Sequence, residues 1–261
     1  MLKKSDSPAR RQLLSAISVP ALTALSRVPL QRLLLGTLGA TALSSCASSN
    51  PALTQNVKVA PPPRVRVRDR WRYVGINRYN QLPIGELQTE VVENSPILRV
   101  RNQYSDGRSV PDDLYSRAWD VVQQTHYDLT EQFAQPVPIL PARLEPGGNE
   151  RVRTSYRAMN TERNLFWTVF VDARNWERIR VPAGEFDCLR VERRIWFSHS
   201  DVFRNSSERY ETLWYSPDVN CWVQREWTGN YLVPGGRRGS RFREDWVRWQ
   251  LLDHIPAPVS S

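Results

Sequence analysis

The chain has 261 residues, 24% of them charged, with nineteen prolines and a net charge of +9 at pH 7. The prolines argue against long helices. The charge does not point to nucleic acid: residues 1–45 hold Lys3, Lys4, Arg10, Arg11, Arg27 and Arg32 against Asp6 alone, a net of +5 that leaves +4 for the rest, and no basic face or nucleic-acid module follows.

The first 45 residues read as an export signal. A basic head precedes Leu33-Leu34-Leu35-Gly36-Thr37-Leu38-Gly39-Ala40, an uncharged run too short to remain as a membrane span. Arg10-Arg11-Gln12-Leu13-Leu14 resembles a twin-arginine signal, although Arg27 and Arg32 interrupt the apolar stretch. Leu43-Ser44-Ser45-Cys46 resembles the lipobox of bacterial lipoproteins, which implies cleavage before Cys46 and acylation (palmitate among the chains) of its thiol. Ala47 rather than Asp follows, which by resemblance to enterobacterial sorting implies the outer membrane, facing the periplasm. Residues 46–63, with Ala47-Ser48-Ser49 and Pro61-Pro62-Pro63, then read as a tether.

From residue 64 to 258 the periodicity is that of strands. Residues 71–76, 97–101, 164–171, 188–197, 210–215, 222–227 and 242–251 alternate apolar and other side chains, so each buries one face. Turn signals separate them: Asn94-Ser95-Pro96, Ser105-Asp106-Gly107, Pro146-Gly147-Gly148, Pro182-Ala183-Gly184, Ser216-Pro217-Asp218 and Pro234-Gly235-Gly236. This predicts an all-β domain, a single curved antiparallel sheet in meander order, with minor α structure limited to a short helix over 111–119. Alternating charges such as Arg190-Val191-Glu192-Arg193-Arg194 read mostly as a solvated face.

Candidate chemistry is sparse. His126, His199 and His254 have no metal-site spacing, no nucleophile elbow or phosphate loop occurs, and Asp187 and Asp218 read as turn residues. Neither an enzyme nor a cofactor is expected. Pro234-Gly235-Gly236-Arg237-Arg238-Gly239 reads as a loop with a basic tip rather than an anion nest. With Cys46 acylated, Cys188 and Cys221 form an even pair, either a cross-strand disulfide or two buried thiols. Ten tryptophans all follow Cys46. Most are expected in the core, and Trp167, Trp196, Trp214, Trp222 and Trp227 are the candidates to face an apolar ligand. Trp246 and Trp249, three apart, must face opposite sides of a regular strand.

Two motifs go together. Val181-Pro182-Ala183-Gly184-Glu185-Phe186 opens one strand, and Trp214-Tyr215-Ser216-Pro217-Asp218-Val219 leads into Trp222-Val223. The pair resembles a loose group of bacterial envelope proteins that are similar to the LolA/LolB-type lipoprotein-localisation half-barrels. That resemblance implies a bent sheet around an apolar hollow. The expected function is a membrane-anchored lipoprotein that binds an apolar or lipid ligand; a structural or interaction subunit of an envelope complex, with a protein or glycan partner, is the alternative.

Overall fold

The computed structural model describes residues 57–258 except 127–128, 160 and 235–239. The export signal, Cys46, the first part of the tether and the basic loop tip at Arg237 and Arg238 lie outside the described residues.

The described residues form thirteen antiparallel strands: β1 (Arg70–Asn77), β2 (Pro83–Asn94), β3 (Leu98–Tyr104), β4 (Asp113–Tyr115), β5 (Asp120–His126), β6 (Leu129–Pro138), β7 (Asn149–Ala158), β8 (Asn164–Val181), β9 (Gly184–Phe197), β10 (Asn205–Ser216), β11 (Cys221–Leu232), β12 (Arg241–Arg243) and β13 (Val247–Ile255). Each pairs with the next from β1 to β11. The curved antiparallel meander expected from the sequence is present, and its ends additionally join. β13 pairs with β1 from Asn77↔Val247 to Arg70↔Ile255, and with β11 over Gln224↔Gln250 to Trp227↔Val247. Twelve strands thus close a ring, with β12 extending the pairing of β13 along β11 on the other side of the break at residues 244–246. Closure removes the unpaired edges that an open sheet would expose.

No helix occurs among the described residues. The segment expected as a helix, 111–119, instead holds β4, because Asp113 is more useful across the sheet than at a helix end. Its carboxylate accepts from the Thr125 amide at 2.9 Å and from Asn102 Nδ2 at 2.8 Å, which fixes β4 between β3 and β5.

The turns form where their chemistry requires. Val181 pairs with Gly184 across Pro182-Ala183, with Gly184 at φ 134°, a backbone region that side chains disfavour. Ser216 pairs with Cys221 around Pro217-Asp218-Val219-Asn220, and Asn220 takes the left-handed conformation at φ 52°.

Inward positions alternate along each strand. Leu189, Val191, Ile195 and Phe197 of β9 face Leu213 and Tyr215 of β10, all at most 1% exposed. The segment before β1 packs against the barrel. Ala60 is buried, its amide donates to Leu144 O at 2.7 Å, and Tyr215 OH donates to Pro61 O at 3.4 Å. Trp176 Nε1 donates to Lys58 O at 2.7 Å, with the Lys58 ammonium 4.0 Å from the ring centre. Residues 57–63, expected as tether, are therefore docked on the domain. Buried Asp69 ties the segment before β1 to the segment after β13, accepting from the amides of Arg66 at 2.6 Å and Ala257 at 2.7 Å.

Candidate functional site

An eight-stranded barrel is just filled by its side chains, and a wider ring leaves space. Here the space is a cavity of about 290 Å³. Seven aromatic rings wall it: Tyr73 of β1, Tyr104 of β3, Tyr115 of β4, Trp119, Trp222 and Trp227 of β11, and Trp249 of β13. Ile84, Leu87, Val110 and Val247 add aliphatic surface.

The floor is held by buried tryptophan. Trp119 sits 5.0 Å from Trp222 and 5.9 Å from Trp71, ring centre to ring centre, in tilted and edge-on contacts. Their ring N–H groups donate to the β10–β11 turn, Trp119 to Asn220 O and Trp71 to Val219 O, each at 2.9 Å. Trp119 holds φ at 70°, which a bulky residue adopts only when its surroundings compel it. On the wall, Gly75 pairs with Trp249, and a Cβ there would lie 2.8 Å from the indole and 2.7 Å from Ile84. Only glycine lets that ring lie flat against β1.

A polar row runs along one side. Thr89 Oγ1 donates to Asn102 Oδ1 at 3.1 Å, Asn102 donates to Asp113, and Asp113 also faces Tyr115 OH. Burial pushes the Asp113 carboxyl up to about 6, against the lowering effect of its hydrogen bonds from Thr125 and Asn102 and of Arg225. Tyr73 OH donates to Trp222 O at 2.9 Å, and burial pushes both Tyr73 and Tyr115 well above the usual tyrosine value.

Charge enters this cavity with Arg108 and Arg225 and continues beyond it inside the barrel. Glu211 of β10 lies directly opposite Arg193 of β9, paired with it and with Arg225, whose guanidinium is 3.2 Å away. Burial would raise the Glu211 carboxyl, but Arg193, Arg225 and Arg209 outweigh it and hold the group well below the carboxylate range. Glu131 of β6, bonded by Gln124 at 2.7 Å, has fewer such neighbours, so burial raises it. His126, at the edge of the aromatic cavity, is held well below its ordinary value by burial and then by Arg209. Arg193 corrects the reading of residues 190–194 as solvated: it is 3% exposed, while Arg190, Glu192 and Arg194 face outward.

The five candidate tryptophans separate. Trp222 and Trp227 line the cavity. Trp167 is sealed in a packed cluster with Phe133, Tyr156 and Phe197, 5.1–5.5 Å between ring centres. Trp196 lies outside, against Phe170 and Arg194, and Trp214 donates to Glu177 at 2.9 Å on an outward face. Trp249 lines the cavity, whereas Trp246 lies in the break before β13, off the regular strand, and bonds Glu226 at 2.6 Å. The sequence reading missed Trp119, Tyr73, Tyr104 and Tyr115. Trp119 lies in the expected helix, and an isolated aromatic carries no signal of where it points.

Cys188 and Cys221 are separate buried thiols rather than a disulfide. They sit on β9 and β11 with β10 between, Tyr215 pairing both Leu189 and Trp222. Two strand spacings place their Cα atoms about 9–10 Å apart, beyond the roughly 7 Å that a disulfide spans. His199 accepts from the Asp201 amide in a loop, and His254 stacks on Trp71 at 5.6 Å. Asp187 pairs with Arg178 at 2.9 Å, and Asp218 lies in the 217–220 turn. Among the described residues no group of three or more His, Cys, Asp or Glu side chains could hold a metal ion.

The class defined by this fold and site is a closed antiparallel β-barrel with an internal aromatic cavity. No known protein family and no curated protein matches the sequence. Among solved structures, the chain is similar to a candidate exported protein with a YmcC-like fold from Bacteroides fragilis, 12% identical over 76% of this chain and 100% of that one, TM-score 0.45. It is also similar to a candidate lipoprotein of Parabacteroides distasonis, 12% identical over 74% and 97%, TM-score 0.43. A third is the hypothetical lipoprotein YmcC of Escherichia coli, 8% identical over 74% and 86%, TM-score 0.39. At these identities and scores the likeness carries nothing about activity.

Proposed function

We propose that the protein is a lipid-anchored envelope protein, without enzymatic activity, that binds a small apolar ligand inside its barrel. The anchor rests on Leu43-Ser44-Ser45-Cys46 and the basic head before it; by the sorting resemblance at Ala47 the membrane is the outer one and the barrel faces the periplasm. The binding reading rests on one observation, the cavity of about 290 Å³ walled by seven aromatic rings, with Asp113, Arg108 and Arg225 among the polar groups on its remaining wall. Apolar walls of this kind supply affinity for a small molecule, and polar groups among them fix its orientation. The size suits one small molecule or one segment of an acyl chain, not a whole phospholipid.

The experiment is native mass spectrometry and lipid extraction of protein purified from membranes, alongside Val110→Trp. Val110 lines the cavity from the 105–112 loop, where a larger ring can enter without displacing a strand. A co-purifying small apolar molecule, lost by at least tenfold in the folded variant, is the expected result. Ligand-free wild-type protein, or equal ligand in both, would sink the reading.

A further inference from the structure

A second cavity, of about 600 Å³, adjoins the first at His126, which lines both. Its wall is charged. Arg209 of β10 points into it, 3% exposed, and the buried Nε of Arg209 has no hydrogen-bond partner. The guanidinium has an ion pair with Glu244 at 3.6 Å, too long for a hydrogen bond, and the face of Phe197 at 5.1 Å from the ring centre. That Nε–H is one of the five donors of a planar guanidinium fork, and burying it without an acceptor is costly.

Two of the neighbouring acids are already shared. Glu211 serves Arg193 and Arg225, and Glu244 also faces Arg204 at 3.8 Å. Glu131, Asp201 and Asp245 line the same cavity, so the site suits a single oxyanion on the guanidinium rather than a polyanion.

We propose that Arg209 receives the acidic group, a carboxylate or phosphate, of the ligand whose apolar part lies in the aromatic cavity. The ligand is then an acidic amphiphile, and the statement rests on the cavity reading above. Planar two-pronged bonding to an oxyanion is what this fork provides.

Calorimetric titration with decanoate, decanol and inorganic phosphate tests it on the full domain. Decanoate is expected to bind at least tenfold more tightly than decanol. Arg209→Gln removes that preference and leaves decanol within twofold of wild type. Glu244→Gln, which frees the guanidinium of its competing carboxylate, tightens decanoate several-fold; it decides the matter if Arg209→Gln does not fold. Equal binding of acid and alcohol would overturn the acidic site and leave the apolar cavity standing. So would an undiminished preference in Arg209→Gln. Phosphate binding as tightly as decanoate would assign Arg209 to a free anion and overturn the amphiphile. Binding of neither decanoate nor decanol would overturn the cavity reading together with this one.

Discussion

At the scale of single residues, burial decides chemistry more than residue type does. The Cys188 and Cys221 thiols are each pushed up to about 12, mainly by burial, and so carry almost no thiolate at neutral pH. Native protein is expected to leave both unreactive toward a thiol reagent, and denatured, unreduced protein to release both. A bridged pair would release neither. Asp113 shows the same effect in an acid. Its folded value of about 6 lies above the ordinary 3.8, so its stability contribution is full below pH 3.8 and is lost as pH rises through 6. About two units at 1.36 kcal/mol each make the cost at pH 7 on the order of 3 kcal/mol. Asp113→Asn can keep the Thr125 bond and, with the Asn102 amide turned over, the Asn102 bond as well. Chemical denaturation between pH 4 and 7 should then show a flattened profile and a gain at pH 7; a slope like that of wild type would contradict the assignment.

At the scale of elements, the segment before β1 behaves as part of the domain. Proline at 61–63 suggests a semi-rigid spacer by composition, yet Ala60, Pro61 and Lys58 are tied to Leu144, Tyr215 and Trp176. Nothing in the spacing of those partners, more than 80 residues away, signals this contact in advance. Ala60→Asp would bury a carboxylate at a 4% exposed site, costing about 2 kcal/mol or more. Trypsin should cut the wild type slowly after Lys58 and the variant readily, while equal cutting would show that the segment is not docked. Other elements were readable locally. The 181–184 and 216–221 turns form where Pro, Gly and Asp stand, because turn chemistry acts over neighbours only. β2 escaped notice since Glu86-Leu87-Gln88-Thr89-Glu90 lacks a clean apolar alternation, its inward row being partly polar.

At the scale of the whole molecule, closure sets the behaviour. The paired residues of β1 and β13 are 170 to 185 positions apart in the chain, and such long-range pairing folds slowly. A chain ending at Asp245 would lose β13, opening β1 and β11 as unpaired edges. It is expected to aggregate or to elute as oligomers in size-exclusion chromatography, where full-length domain elutes as one species. A soluble monomer with native-like circular dichroism would show that the ring is not needed.

The sequence by itself determined the all-β class and the positions of several turns, because alternation and turn chemistry are local patterns. The tertiary structure decided which tryptophans meet a cavity, that Arg193 and Arg209 point inward, and that the two thiols are a strand too far apart. Each of these depends on which strands become neighbours and on the joining of the ends. That is settled only when distant segments pair, since an inward position looks the same in sequence whether it meets a packed core, a cavity or a buried charge.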